Sequence, residues 1–350
     1  MKIVGCDFHP SYQQVAVLDT LTGEVAKFQL MHGNGEAERY YRKLEAPALI
    51  GMEATGNSLW FEQLVESLGH ELRHGNAAEI RASYVRKQKT DKRDAGHILK
   101  LLLEERFPQI WVPNQQQRDA RQLLMHRHKL VQVRTRLKTE LQHLAFNQGV
   151  QKKRQLWNEK GRTDLENLPL QGWTKQRRED LLQLLRVVEP QVEQLDKAVE
   201  KAAAANPQAL LLMSQPGVGP ITALAFVMTI GEVARFQRSK QVSSYLGLIP
   251  SEHSSGNRRR LGSITKQGNV FLRTLLVEAA QSAVRHDPQF KKEYQHRCHH
   301  KAKGIAKVAT ARKLAVRLYW MLKTGKPYPE VLLIEGSPRH PVAAKANPSA

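Results

Sequence analysis

The sequence predicts an α/β N-terminal domain, then long coiled-coil helices, and then a mainly α C-terminal domain. Short apolar runs typical of strands fill the first part of the chain, leucines recur at intervals of seven in the middle, and amphipathic helical patterns follow. We expect the α/β domain at 1–110, the coiled coil at 111–205 and the last domain at 206–335. The tail at 336–350 is rich in Pro, Ala and Ser and is predicted to be disordered.

The α/β domain is predicted to open with a β-meander. Residues 2–7 are apolar and β-branched, and residues 13–18 alternate between apolar and polar side chains. After a Thr-Gly turn, residues 25–30 alternate again. Three short strands joined by short turns are therefore expected here.

Strands and helices then alternate. A buried strand is expected at 48–53, followed by a helix that begins at Asn57 or Ser58 and ends at Gly69. One more strand is expected at 70–75, and residues 90–106 read as a helix with its apolar residues on one side. This strand-helix alternation indicates an α/β layer.

The middle of the chain has the pattern of two long paired helices. The stretch at 149–173 is basic and irregular and is the expected turn between them, and Pro190 predicts a kink in the second helix. The helices pair either as a hairpin within one chain or across two protomers. The residues that carry the pattern are Leu123, Leu130, Leu137 and Leu144 in the first helix, and Leu181, Leu185, Val188, Val192, Leu195 and Val199 in the second.

The charge of the chain points to a polyanionic partner. The 350 residues include 54 Lys and Arg against 33 Asp and Glu, a formal net charge of +21. There is no apolar run of about 18 residues and no signal peptide pattern, so we expect a cytoplasmic protein without a membrane partner. Because the chain has only 2 cysteines, a disulfide framework and a four-cysteine zinc site are excluded. Any metal chemistry must use oxygen or histidine ligands.

Four acidic residues are candidates for a metal site. Asp7 ends the first predicted strand and Glu53 ends the buried strand, while Asp91 and Asp94 are three residues apart on one predicted helix. At that spacing two carboxylates share a helix face, about 5–6 Å apart at Cβ. Carboxylate oxygens suit Mg²⁺, and two such ions about 4 Å apart promote phosphoryl transfer.

Simpler interpretations of these acids remain open. Asp7 can begin a turn, Glu53 can cap the following helix, and Asp91 with Asp94 can cap a helix whose dipole favours negative charge. The surrounding cations favour the metal hypothesis, because they suit nucleic acid held over a metal better than they suit capping. The cations expected to contact nucleic acid are Lys87, Lys89, Lys92 and Arg93.

Two further motifs lie in the C-terminal part. The segment PGVGP, with Gly217 and Gly219, resembles a helix-hairpin-helix turn whose backbone N–H groups approach a phosphate, and a tight interhelical turn is the alternative. The cluster of His296, Cys298, His299 and His300 does not favour zinc, because adjacent side chains do not converge tetrahedrally.

The motifs together resemble one family. GCD near the start, GMEATG, KTDKRDA, and then QPGVGPITA and residues 236–280 follow the order and spacing of the DEDD transposases of insertion sequences, which include the pilin-gene invertases. The resemblance covers nearly the whole chain. It implies an RNase H-like (RuvC-like) N-terminal domain and a C-terminal transposase domain, and a DNA recombinase that acts on the ends and the target of a mobile element.

The resemblance also implies roles for single residues and partners. Asp7, Glu53, Asp91 and Asp94 would bind Mg²⁺, with Mn²⁺ as the alternative, and Ser255 in HSSG would be the nucleophile, with Ser254 as the near alternative. It further implies a homo-oligomer, a dimer or tetramer in which Ser255 of one subunit completes the acidic site of another. A structured guide RNA and a place at the nucleoid of a bacterial or archaeal cell are expected as well. A basic stripe beside Ser255 is expected to contact phosphates: Arg258, Arg259, Arg260, Lys266 and Arg273.

Two rival hypotheses remain at this point. A nuclease that hydrolyses branched DNA with its carboxylates alone would stay active after Ser255→Ala. A non-catalytic nucleic-acid-binding protein would use the acids as helix caps and the long helices for assembly, and it would bind DNA without cleaving it.

Overall fold

The computed structural model describes most of the chain as two compact units, Met1–Val112 and Pro113–Ala350. The predicted tail at 336–350 lies outside the described residues. The residues described are 1–84, 91–151, 155–255, 258 and 260–335, without the side chains of Asp91, Lys92 and 333–335.

The first unit is built on a five-stranded sheet in the order β3-β2-β1-β4-β5. β1 pairs antiparallel with β2, as β2 does with β3, whereas β4 runs parallel to β1, and β5 parallel to β4. The meander, the buried strand and the strand expected at 70–75 are thus confirmed. The strands are β1 (Lys2–Phe8), β2 (Tyr12–Asp19), β3 (Val25–Met31), β4 (Leu49–Glu53) and β5 (Glu71–Gly75).

Helices cover both faces of this sheet. Two of them, α2 and α4, correspond to the predicted ones, whereas α1 and α3 were not expected. Both are short and bury few side chains, Ala37 and Tyr41 in α1 and Ile80 in α3, so neither produces a helical repeat in the sequence. The helices are α1 (Glu36–Lys43), α2 (Leu59–Ser67), α3 (Ala77–Ala82) and α4 (Asp91–Leu103).

Helix α4 lies in backbone contact with the sheet. A Cβ atom at Gly5 would lie 2.3 Å from the carbonyl oxygen of Ala95 and 2.4 Å from the backbone nitrogen of Leu99. On the neighbouring strand a Cβ at Gly51 would lie 2.7 Å from the side chain of Leu102. Glycine at both positions therefore lets α4 approach β1 and β4 closely.

The second unit opens with a helical hairpin in which α5 (Gln115–Asn147) packs on α7 (Gly172–Ala204). The predicted pairing is present within one chain. The segment between the helices is not simply irregular, because it contains α6 (Glu159–Glu166). Helix α7 continues through Pro190. The core of the hairpin is formed by Leu137, Leu141 and Leu144 of α5, Leu156, Leu165, Leu168 and Leu170 of the connection, and Leu181, Leu185, Val188 and Val192 of α7.

The base of the hairpin shares a core with the remaining helices. Leu124 of α5 and Val199 and Ala203 of α7 belong to the same buried cluster as the C-terminal helices, so the predicted coiled coil and last domain form one unit. Among the described helices, none is both long and apolar enough to cross a bilayer. The remaining elements are α8 (Pro207–Met213), α9 (Pro220–Ile230), α10 (Ser239–Tyr245), β6 (Pro250–Glu252), β7 (Leu261–Ile264), α11 (Val270–His286), α12 (Pro288–His300), α13 (Lys303–Thr324) and α14 (Glu330–Glu335).

The contact of α4 with the sheet predicts a large effect of Gly5→Ala. The added methyl group would meet backbone atoms that no side-chain rotation can move, so we expect a loss of at least about 2 kcal/mol in the free energy of unfolding. Urea unfolding measures it. Gly33→Ala is the matched control, because a Cβ at Gly33 has nothing within 4 Å. Equal stability of the two variants would contradict the close approach.

The hairpin core predicts that Leu141→Ala destabilises the second unit. Leu141 is fully buried, so its truncation is expected to cost about 2–5 kcal/mol. Leu184→Ala on α7 is the control, because Leu184 is 52% exposed, and its loss should change the unfolding midpoint little. Comparable losses in both variants would show that the hairpin is not packed as described.

Candidate active site

Asp7 and Glu53 lie side by side at the carboxyl ends of two adjacent parallel strands. Cys6 of β1 is in register with Met52 of β4, and each acid is the next residue on its strand. Because side chains alternate along a strand, Asp7 shares the face of Gly5, and Glu53 shares the face of Gly51. That is the face on which α4 packs.

Asp94 reaches the same place from the helix. It lies near the beginning of α4, one residue before the Ala95 whose carbonyl faces Gly5, and it is only 5% exposed. Asp91 is the first residue of α4, and its side chain is outside the described part. The position of Asp91, three residues before Asp94, predicts that both carboxylates share one helix face.

Tyr84 is hydrogen-bonded to one of these acids. Its hydroxyl donates a hydrogen bond of 2.7 Å to Oδ1 of Asp94. Burial, this hydrogen bond, and the negative charges of Asp94, Asp7 and Glu53 raise the pKa of Tyr84 well above its usual value. Asp94 thus contacts this phenol directly, and the charges of Asp7 and Glu53 act on it as well. Nothing in the sequence pattern marks Tyr84, because its role depends on the folded position of α4.

His9 is a second neighbour that the sequence did not indicate. Its Nε2 lies 3.2 Å from Oδ2 of Asp7, and its ring stacks on that of Tyr12 at a centroid distance of 4.6 Å. The ring therefore lies at the edge of the acidic site, in contact with Asp7.

The donor set suits a hard divalent cation. Carboxylate oxygens are the ligands that Mg²⁺ and Mn²⁺ accept, and the site offers them on rigid elements. In the part of the chain that is described, no group of three or more His, Cys, Asp or Glu side chains is arranged to hold a metal ion. The fold thus brings Asp7, Glu53 and Asp94 into one region without a closed coordination shell among them.

Ser255 lies in the second unit, at the end of a small β-hairpin. β6 pairs with β7, and beyond them Ser255 and Arg258 exchange backbone hydrogen bonds of 3.3 and 3.2 Å. The side chain of Ser255 is exposed. Ser254 differs, because its hydroxyl donates to Oε1 of Glu252 at 2.8 Å and accepts from the backbone N–H of Arg260 at 3.2 Å. Ser254 is thus engaged in holding the hairpin together.

The predicted basic stripe beside Ser255 divides into exposed and buried side chains. Arg258, Arg260 and Lys266 are exposed, and Lys266 has a φ of 57°. Arg273 is only 8% exposed and donates to the backbone carbonyls of Leu246 and Gln267, which does not favour the phosphate contact predicted for it. A guanidinium held this way links α11 to the preceding loops.

The remaining predicted nucleic-acid contacts lie partly outside the described residues. This applies to Lys87, Lys89 and Arg259 and to the side chain of Lys92, whereas Arg93 is described and exposed. Contacts of these residues with nucleic acid stay predictions.

The PGVGP segment is a tight turn between α8 and α9. Gly217 has a φ of 87°, and a Cβ there would lie 2.3 Å from the backbone nitrogen of Ala283, so close packing on α11 explains this glycine. At Gly219, which caps α9, a Cβ would meet nothing within 4 Å. A phosphate contact at this turn remains a prediction.

Comparison with known proteins identifies both units. Residues 4–145 match a DEDD transposase domain described as "Transposase", and residues 209–295 match the description "Transposase IS116/IS110/IS902 family". A probable family 20 transposase of Pseudomonas aeruginosa is 27% identical over 81% of this chain and 84% of its own length.

Two further relatives are similar over shorter stretches. The transposase for insertion sequence element IS1111A of Coxiella burnetii is 33% identical over 58% of this chain and 57% of its own length. The pilin gene-inverting protein of Moraxella bovis is 28% identical over 50% of this chain and 55% of its own length. Because both domains match in chain order, this chain belongs to the IS116/IS110/IS902 family of transposases, which are enzymes that cleave and rejoin DNA.

Proposed function

We propose that this transposase is a metal-dependent DNA recombinase that cuts and rejoins strands through Ser255. The observation that supports the proposal is that Asp7 and Glu53 lie at the carboxyl ends of adjacent parallel strands, on the face covered by α4, where Asp94 comes one residue before the contact with Gly5. Placing buried and half-buried carboxylates near one another costs free energy unless a bound cation offsets their charge.

The acidic residues are the proposed metal ligands. Asp7, Glu53, Asp91 and Asp94 would hold Mg²⁺, or Mn²⁺ in its place. When bound, the ion would neutralise charge on the scissile phosphate and favour the ionised form of an attacking hydroxyl. The sheet order 3-2-1-4-5, with an antiparallel meander and two parallel strands, supports an RNase H-like (RuvC-like) fold for this unit.

Ser255 is the proposed nucleophile because it is exposed at the end of its hairpin. Its Oγ would attack the phosphorus of a phosphodiester and lose its proton, while the P–O bond to the adjoining strand breaks and the departing oxygen takes up a proton. The attacked strand then stays joined to Oγ as a phosphodiester. Attack by a hydroxyl of another strand reverses these changes and returns the proton to Ser255, so the DNA is rejoined without hydrolysis.

Assembly and partners follow from the same proposal. The acids and Ser255 belong to different compact units, which fits a homo-oligomer, a dimer or tetramer, in which one subunit supplies Ser255 to the acids of another. The net charge of +21 suits DNA of the element ends and target together with a structured guide RNA. The expected place of action is the nucleoid of a bacterial cell.

A hydrolytic nuclease is the second candidate. It is favoured by one observation, namely that the described acids share a unit that does not contain Ser255. In that case water, and not Ser255, would attack the phosphorus, and the cut strand would leave with a free end.

We predict that Ser255→Ala abolishes a covalent protein–DNA adduct. The full chain is incubated with Mg²⁺, DNA that carries the element's ends, and RNA from the element, then denatured and separated by electrophoresis. Asp94→Asn should reduce the adduct more than about 100-fold, because even outer partners of a metal site are worth 10- to 100-fold. Ser254→Ala is the matched control and should keep the adduct, since only hairpin hydrogen bonds are lost.

Two results would contradict this prediction in different ways. Free nicked ends without an adduct, with Ser255→Ala still cutting, would establish the hydrolytic nuclease. An adduct that persists in Ser255→Ala and disappears in Ser254→Ala would move the nucleophile to Ser254.

We also predict that Arg258 contributes a phosphate contact. Arg258→Gln should lower the slope of log Kd against log salt concentration by about 0.9 for duplex DNA, because each neutralised phosphate releases counterions. Filter binding between low and moderate salt measures the slope. Arg42→Gln is the control, because Arg42 lies on α1 and pairs with Glu38 at 2.6 Å. An identical slope for Arg258→Gln and the wild type would exclude the contact.

A further inference from the structure

We propose that Tyr84 is a positioning residue that holds Asp94 in the orientation needed to bind a divalent cation. The inference rests on the proposed metal-dependent function and adds to it a residue outside the acidic quartet. The hydroxyl of Tyr84 contacts Asp94, a proposed metal ligand. Its proposed role does not involve the reacting atoms.

The contact itself is short and largely removed from solvent. The Tyr84 hydroxyl donates to Oδ1 of Asp94 at 2.7 Å, and Asp94 is 5% exposed. A carboxylate removed from water to that extent needs hydrogen-bond donors to stay ordered. With one oxygen held by Tyr84, the orientation of the second is set as well, because the carboxylate is planar.

Tyr84 is in turn held by its neighbours. Its ring lies on that of His97 with a centroid distance of 4.1 Å and an interplanar angle of 30°. Nε2 of His97 lies 2.7 Å from the hydroxyl of Ser83, which itself donates to the carbonyl of Ile80 at 2.7 Å. Because the Ser83 hydroxyl donates its proton to Ile80, its oxygen accepts a hydrogen bond from Nε2 of His97. The position of the phenol is therefore fixed by α3 on one side and by α4 on the other.

A phenol also suits the charge of the site. The negative charges of Asp94, Asp7 and Glu53 all act to raise the pKa of Tyr84. A tyrosine is a neutral donor, so it orders a carboxylate without adding negative charge and without competing with the cation as a lysine would. Outer contacts of this kind commonly set the affinity of a metal site by orienting its ligands.

The test measures Mn²⁺ binding by the full chain, from the loss of the paramagnetic resonance signal of free Mn²⁺. Tyr84→Phe keeps the ring on His97 and removes only the hydroxyl, and it is expected to weaken binding about 10- to 100-fold. Tyr40→Phe is the matched control, because Tyr40 lies beside Lys2 and Asp19 at the opposite end of β1. Its Kd should equal that of the wild type, and Asp94→Asn should lose binding.

Two further readouts separate positioning from a general loss of structure. The thermal midpoint of Tyr84→Phe without metal should stay close to that of Tyr40→Phe, and excess Mn²⁺ should restore adduct formation in Tyr84→Phe but not in Asp94→Asn. If Tyr84→Phe does not fold, Ser83→Ala replaces it, with several-fold weaker binding expected because His97 loses its hydrogen bond to Ser83.

The outcomes distinguish this inference from the function on which it rests. If the wild type binds Mn²⁺, Asp94→Asn does not, and Tyr84→Phe binds as tightly as the wild type or more tightly, the role of Tyr84 is overturned and the metal site stands. If Ser83→Ala has to replace Tyr84→Phe, Mn²⁺ binding equal to that of the wild type also overturns the role of Tyr84. If the wild type binds no Mn²⁺, the metal site is overturned together with the role of Tyr84.

Discussion

The candidate active site depends on the contact between α4 and β1 at Gly5. In most α/β layers the side chains of a strand separate its backbone from the helix above. Here the strand presents no side chain at the point of contact, so the helix backbone lies on the strand backbone. Because Asp94 is one residue from that contact and Asp7 is two residues from it along the strand, their separation is set by backbone packing. Such packing resists change more than side-chain rotation does.

The two proposed chemical functions are built in different ways. The carboxylates lie on strands and a helix with a packed core behind them, whereas Ser255 lies at the end of a short hairpin held by Ser254, Glu252 and Arg260. A metal site needs fixed ligand directions, and a nucleophile that must reach a phosphate on DNA needs exposure. The structure gives each group the setting that its proposed chemistry requires.

Much of the first unit could be predicted from the sequence because its strands have clear period-two patterns and short turns. The short helix α1 could not, since its buried pair Ala37 and Tyr41 is too small a pattern to recognise. Charge patterns were misleading at Arg273, because a lysine or arginine run does not show which side chain turns inward to bind carbonyl groups. Tyr84 was missed for a related reason, since its hydrogen bond joins residues that meet only after α4 has packed.

The α5 and α7 helices of the hairpin are equally long. Each helix has 33 residues, and at about 1.5 Å per residue each helix is roughly 50 Å long. That distance corresponds to about 15 base pairs of duplex DNA. Insertion of a single residue in one helix would rotate everything beyond it by about 100° and misalign the buried leucines. The hairpin can therefore change in length and keep its packing only when both helices lengthen together.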